Sequence, residues 1–171
     1  MRMRAQLLAL ALAAGITMSA GGVASAGVGE GDHFVELDVA KSATGKKFKL
    51  KDEAGNWVLF TFGASWCKPC GKELPAWNKL AARYKGKVKF LAVNINNELE
   101  DGKKFVAKLK LGNMSVVYLP DDKSSAMDSY DPDHMPSTFV IDPNGIIRLV
   151  HYGYEKGDEK KLAAKLDALV K

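Results

Sequence analysis

The sequence holds little of the residue types that staple or ligate, with 2 cysteines and 3 histidines in 171 residues. Cys67 and Cys70, with two residues between them, can close one local bridge but no framework that would hold a fold together. A disulfide-dense miniprotein is excluded. A closed zinc centre, which normally takes four ligands, finds no second cysteine pair. Charge of one sign is also scarce. The formal net charge is +5, falling by two when Arg2 and Arg4 are set aside, and the lysines are dispersed. That balance gives no support to nucleic-acid binding and reads as a solvated basic surface. Phosphate-cradling glycine motifs, a serine-hydrolase elbow, repeats and low-complexity segments are absent. What remains is ordinary globular composition, 47% hydrophobic and 26% charged, enough for one buried core.

The N-terminus carries an apolar run of a different kind. Arg2 and Arg4 make a positive start, Leu7 to Met18 an apolar stretch, and Ala24-Ser25-Ala26 a small-residue cleavage site. Residues 1–26 therefore read as a secretory signal peptide cut before Gly27. A cut after Ala20 and retention as an uncleaved anchor are the alternatives, although the stretch is short for a membrane span. No cysteine lies near the cut for lipid attachment, and the arginines are not adjacent as a twin-arginine signal requires. The expected destination is the periplasm or the outside of the cell, where a cysteine pair meets oxidants and exchange partners.

Residues 27–171 read as one alternating domain. Gly27 to Asp32 is a leader, Phe34, Leu37 and Val39 mark an extended segment, and Phe48 and Leu50 alternate with lysines like an edge strand. Trp57 to Phe62 is an apolar run suited to a strand buried on both faces, and Val88 to Ile95 reads as another buried strand. Between them, Leu74, Trp77, Leu80, Ala81 and Tyr84 fall at helical spacing, predicting a helix from about Cys67 to Tyr84 with a kink at Pro75. Asp101 is placed to cap a second helix bearing Phe105, Val106 and Leu109. A strand at Val116 to Leu119 and a short helix at Ser124 to Tyr130 follow, with Asp121-Asp122 read as a solvated turn. Thr138 to Ile141 and Ile146 to Tyr152 flank the turn Asp142-Pro143-Asn144-Gly145, and Asp158 opens a final helix carrying Leu162, Leu166 and Leu169. The order β-α-β-α-β-α-β-β-α predicts an α/β fold, a central mixed β-sheet with helices on both faces.

The chemistry concentrates at Trp66-Cys67-Lys68-Pro69-Cys70. Two cysteines three positions apart at a helix start can bring their sulfurs together with little backbone change. The amides and dipole of the helix end favour an anion at Cys67, and Lys68 adds positive charge, both lowering its thiol pKa. Cys70 lies a turn deeper. The asymmetry makes Cys67 the attacking thiolate and Cys70 the resolving thiol, with Pro69 limiting the turn. A structural disulfide constrains too little chain to be the better reading, and a metal site, even with His134 as third ligand, is short of donors.

The run from Phe60 through Gly63-Ala64-Ser65-Trp66-Cys67-Lys68-Pro69-Cys70 to Glu73-Leu74-Pro75 resembles the active-site signature of the thioredoxin superfamily, and more narrowly its exported TlpA/ResA-like branch. Met135-Pro136-Ser137-Thr138-Phe139-Val140-Ile141-Asp142-Pro143-Asn144-Gly145 is similar to the same family's cis-proline segment and hairpin. The resemblance runs from about Phe34 to the C-terminus and implies a thioredoxin-like fold. It also implies a cis bond before Pro136, with the Met135 backbone pairing to an extended substrate. Trp66 is read as lining the same groove, and Trp57 and Trp77 as packing.

Glu73 follows Cys70 by three positions on one helix, so the two side chains are neighbours. A glutamate there influences the active-site thiols in the branch resembled; buried, its raised pKa would let it exchange a proton with Cys70. The competing reading is a solvated carboxylate paired with Lys72 or Lys79. Thr61 stands where cytosolic thioredoxins carry a buried aspartate, which turns attention to Glu73. His134 is close enough in sequence to Pro136 to reach the thiols, although a surface position is favoured; His33 and His151 have no partner spacing.

The resulting expectation is an exported thiol-disulfide oxidoreductase with no cofactor and no bound metal. It would reduce disulfide-containing exported proteins and be recharged by a membrane thiol electron donor. The resemblance suggests apocytochrome c as substrate. A thiol peroxidase lacks an arginine near a lone attacking sulfur. A copper metallochaperone using the two thiolates suits soft-metal chemistry, although related copper-handling folds space their cysteines by three residues.

Overall fold

The computed structural model describes residues 27–120, 124–130 and 134–170. The expected signal peptide at 1–26 and the Asp121-Asp122 turn lie outside the described residues. Strands β1 (Trp57–Gly63), β2 (Val88–Asn94), β3 (Ser115–Tyr118), β4 (Ser137–Ile141) and β5 (Ile147–Tyr152) alternate with helices α1 (Cys70–Arg83), α2 (Leu99–Leu109) and α3 (Ala126–Tyr130), and α4 (Asp158–Leu169) ends the chain. This is the order expected from the sequence.

The strands form a five-stranded sheet ordered β3-β2-β1-β4-β5. β2 runs parallel to both β1 and β3, whereas β4 pairs antiparallel with β1 and with β5. The sheet is therefore mixed. Two successive right-handed crossovers moving in one direction, β1-α1-β2 and β2-α2-β3, put α1 and α2 on the same face. There Leu74 and Trp77 of α1 and Leu162 and Leu166 of α4 pack over Leu59, Phe90 and Val140, with Phe105 and Val106 of α2 against them. The return from β3 to β4 brings α3 to the opposite face. Here Phe60, Phe62, Tyr130 and Phe139 form an aromatic cluster, Phe60 stacked on Phe139 with centroids 5.2 Å apart.

The residues before β1 do not form the edge strand expected at Phe48 and Leu50. Glu36 accepts the backbone N–H groups of Leu50 and Lys51, and Leu50–Glu53 winds into a 3-10 turn. A side chain has taken the donors a strand partner would have used. The same segment nevertheless reaches both edges of the sheet. His33 bridges Ile146 beside β5, Ile147 N–H bonds to Asp32 at 2.9 Å, and Lys41 exchanges two backbone hydrogen bonds with Tyr118 of β3. In between, Leu37 and Ala40 are buried under the aromatic face, and the Tyr130 hydroxyl bonds both N–H and C=O of Val35.

Two helix boundaries also differ from expectation. α1 starts at Cys70 rather than Cys67, and it runs unbroken through Pro75. α2 has Glu98 at its N-cap, while Asp101 lies within its first turn, its side chain 3.8 Å from Lys104.

Candidate active site

The site is built at the C-terminal end of β1, where the chain leaves the centre of the sheet and turns into α1. Gly63 ends the strand; a Cβ there would stand 3.0 Å from Leu74 Cδ1 and 3.7 Å from Cys70 Cβ. The missing side chain lets the helix start close against the strand. Cys67 and Cys70 are joined by a disulfide, with their Cα atoms 5.4 Å apart. Cys67 keeps 6% of its surface exposed and Cys70 none.

Helix initiation explains the cysteine geometry. Pro69 occupies the N-cap of α1, a place where its missing N–H costs nothing, and its carbonyl accepts the N–H groups of Lys72 and Glu73. Cys67 sits in the turn just before, and its Sγ accepts the N–H of Cys70 at 3.3 Å. That N–H is one of the helix's otherwise unpartnered donors. Lys68 and Pro69 are exposed beside the pair, and Trp66 is 61% exposed.

A polar lattice holds this turn from the side. Asn96 Oδ1 accepts the Ser65 N–H at 3.0 Å, its Nδ2 donates to Ser65 Oγ at 2.7 Å, and Asn94 Nδ2 donates to both Asn96 Oδ1 and the Gly63 carbonyl. Both asparagines are buried. Sequence reasoning passed over them, because Asn94-Ile95-Asn96-Asn97 has the composition of a plain loop. The one available signal was a polar side chain, Asn94, closing a largely apolar strand, with a second, Asn96, just beyond it.

Glu73 is buried completely, one helical turn from Cys70, and is paired with neither Lys72 nor Lys79. Thr61 Oγ1 lies 2.8 Å from its Oε2 and Thr138 Oγ1 lies 2.9 Å from its Oε1, both at hydrogen-bond distance. Burial pushes the carboxyl up to about 7; hydrogen bonds from Thr61, Thr138 and Trp77 pull the other way, and the charge of Asp158 pushes with burial. Thr138 was not singled out by its sequence, and Thr61 was noted only for the acid it replaces. Trp77 packs in the core as expected and also donates its indole N–H to Thr138 at 3.1 Å.

The Met135–Pro136 peptide bond is cis. Pro136 is buried, Met135 half-buried, and the Pro136 carbonyl accepts the Gly153 N–H at 2.8 Å, fastening this loop to the end of β5. His134 is exposed, with its ring 5.8 Å from that of Tyr152. His33 is exposed at its bridge to Ile146, and His151 Nε2 lies 3.4 Å from Asp158 Oδ2 without hydrogen-bond geometry.

The comparisons with known proteins agree with this geometry. Residues 31–150 match the AhpC/TSA family. The chain is 33% identical over 141 residues to the thioredoxin-like protein YneN of Bacillus subtilis, covering 82% of this chain and 81% of that one. It is 33% identical over 110 residues to the thiol-disulfide oxidoreductase ResA of Geobacillus kaustophilus, spanning 64% of this chain but only 62% of the relative's length. A solved structure from Chlorobium tepidum, a candidate thiol:disulfide interchange protein DsbE, superposes with a TM-score of 0.75 at 30% identity, over 84% of this chain and 99% of that one. A cysteine pair joined at the start of a helix, on a sheet of this order, is thus set among relatives that carry out disulfide exchange. The chain belongs to the AhpC/TSA family, as a thioredoxin-like protein whose relatives are thiol-disulfide oxidoreductases.

Proposed function

We propose that this thiol-disulfide oxidoreductase works after export, in the periplasm or outside the cell, as a reductant of protein disulfides. Cys67 thiolate attacks one sulfur of a substrate disulfide, and the substrate's other sulfur leaves with the electron pair. Cys70 then gives its proton to Glu73 and attacks Cys67 Sγ. The bond between Cys67 and the substrate breaks, the substrate leaves as a thiol after taking a proton from water, and the Cys67–Cys70 disulfide closes. A membrane thiol donor returns two electrons to reopen it.

The observation that carries this reading is the asymmetry of the pair. Cys67 Sγ lies at the surface edge and accepts an amide at the start of α1, which would hold a thiolate there, while Cys70 is sealed beside a buried carboxyl. In this reading Trp66, Met135 and Pro136 form the substrate-binding groove, and Lys68 and Pro69 adjust the thiolate's stability. The signal-like residues 1–26 support export, with residues 27–171 as the thioredoxin-like domain. Resemblance to the TlpA/ResA-like branch supports apocytochrome c as a substrate, and with it a role in cytochrome c maturation.

Equilibration in glutathione or dithiothreitol buffers tests the direction of electron flow. A reduction potential near about −270 mV, the thioredoxin end of the range, supports the reductant. One near about −120 mV reverses it to a disulfide donor. Absence of any reversible two-electron couple would remove the redox reading altogether. Sequencing the N-terminus of the exported chain, expected to begin at Gly27, tests the address.

A further inference from the structure

Three buried oxygen-bearing side chains touch one another on the α1 side of the sheet. Thr61 Oγ1 lies 2.8 Å from Glu73 Oε2, Thr138 Oγ1 lies 2.9 Å from Glu73 Oε1, and the two hydroxyls are 2.9 Å apart. None of the three residues has any exposed surface. Thr61 and Thr138 are direct partners in the β1–β4 register, so the strands themselves hold the hydroxyls together. The Trp77 indole N–H, which can only donate, takes one acceptor position on Thr138 Oγ1.

Each oxygen–oxygen contact needs one hydrogen, and each threonine hydroxyl has one to give. With Glu73 ionised, both hydroxyls turn to the carboxylate and the contact between Thr61 and Thr138 is left with lone pair facing lone pair. If one hydroxyl instead donates to the other, a carboxylate oxygen with no exposed surface loses its donor. With Glu73 protonated, the count closes. Glu73 donates to Thr61, Thr61 to Thr138, and Thr138 back to the other carboxyl oxygen, while Thr138 still accepts from Trp77. The reverse circuit works equally well.

We propose that Thr61 and Thr138 are positioning residues that hold Glu73 as the neutral acid while the Cys67–Cys70 disulfide is closed. The three side chains form a hydrogen-bonded ring that stores one proton a helical turn from Cys70. This deepens, and rests on, the proton exchange between Glu73 and Cys70 proposed above. The charged surroundings act in the same direction. Asp158 of α4 acts on Glu73 as a like charge, and it is itself shared between Lys161 at 2.8 Å and His151 of β5 at 3.4 Å. The Tyr154 phenol, before α4, is a further titratable group that senses Glu73. Among the described residues no ion pair involves Glu73. Burial is what raises the Glu73 pKa; hydroxyls that both donate to a carboxylate would lower it, whereas in the ring one hydroxyl accepts from the acid.

The stored proton has a defined use. When a thiolate reductant attacks Cys67 Sγ, a bond forms to that sulfur and the Cys67–Cys70 bond breaks. The electron pair goes to Cys70 Sγ, and Glu73 passes its proton to it. The carboxylate left behind accepts both hydroxyls, and the ring opens at the Thr61–Thr138 contact. Resolution of a mixed disulfide runs these proton moves backwards, restoring the ring as the disulfide closes.

Infrared difference spectra of the disulfide form, wild type minus Glu73→Gln, read the proton directly. At about pH 6 a solvated glutamate is almost wholly ionised. The expected result is a neutral-carboxyl band belonging to Glu73 at that pH. Thr61→Val and Thr138→Val shift the band, and the corresponding serine variants return it to its place. Carboxylate bands from Glu73 in the wild type at that pH overturn the proposal; so does a neutral band that neither valine variant moves. If a valine variant does not fold, the wild-type band and the serine variants still decide. The exchange rate of Glu73→Gln separates the two layers. An ionised Glu73 with a slowed Gln variant overturns the ring and leaves the exchange role standing. A neutral Glu73 with an unslowed Gln variant overturns the exchange role, and the proton store with it.

Discussion

Replacing Glu73 by glutamine should change how the stability of the disulfide form depends on pH. Glutamine fills the same space and, like the neutral acid, donates through one terminal atom and accepts through the other, so the contacts with Thr61 and Thr138 persist. What disappears is a titration. Burial raises the folded-state pKa of Glu73 from 4.5 to about 7. Below pH 4.5 the carboxyl is protonated whether the chain is folded or not, and there is no penalty. As the pH rises from there to about 7, the unfolded chain ionises while the folded one keeps its proton, so the folded state weakens. At about 1.4 kcal/mol per unit, the loss accumulates to about 3 kcal/mol and is constant at higher pH. Because the side chain is fully buried, solvent screening does not reduce this figure. Glu73→Gln escapes that loss. Denaturant unfolding of both proteins, oxidised, at intervals between about pH 4 and pH 8 should show the variant gaining steadily on the wild type and then levelling. The slopes contributed by Asp158, Asp142 and other shared groups cancel in the difference. Two parallel curves, or a variant that falls behind as pH rises, would refute the reasoning.

Asn96→Ala removes both hydrogen bonds to Ser65, and should cost about 1–3 kcal/mol in unfolding free energy and slow thiol–disulfide exchange at Cys67. Exchange at the wild-type rate would show that the turn holds itself. Gly102→Ala drives a Cβ to 2.2 Å from Asn94 Oδ1, so a loss of about 1–3 kcal/mol is expected, with the double variant Gly102→Ala/Asn94→Ala recovering part of it in the same unfolding assay. Trp77→Phe keeps the packing but deletes the donor to Thr138, and calorimetry should find a loss of about 1 kcal/mol. Asp142 is held below the ordinary carboxylate range: burial alone would raise it, but the Ile146 and Asn144 amides and Arg148 outweigh that. Its stabilising effect is therefore present above about pH 4 and fades as the pH falls through the lowered pKa, so Asp142→Asn should be least costly in acid.

Much of the fold was legible because the signals were local. Trp57 to Phe62 is a run that only a strand covered on both faces can hide, and Asp142-Pro143-Asn144-Gly145 turns a hairpin with Gly145 at φ 85°. The cysteine pair announced itself by spacing. What stayed hidden depends on contacts between distant segments. Asn96 matters because Ser65, 31 positions earlier, leaves an amide pointing at it. Thr138 matters because pairing of β4 with β1 puts its hydroxyl beside Thr61. The start of α1 was misplaced for a local reason: Pro69 directly precedes the helix, and Cys67 serves its first amide from outside rather than from the first turn. At Phe48 and Leu50 the alternation was genuine, but Glu36 took the backbone donors.

The strap of residues 33 to 41 crosses the aromatic face from the border of β5 to that of β3. Five strands leave four gaps, about 19 Å, which eight extended residue steps of roughly 3.3 Å cover with slack for the buried Leu37 and Ala40. One short stretch therefore occupies one end of both open margins of the sheet, through a single bridge at each. Margins of this kind are templates on which another chain can pair. A sheet that loses protection on one side can at most form a closed pair with a copy of itself. Release of this strap unguards two sides together, and a unit with two sticky ends assembles without limit.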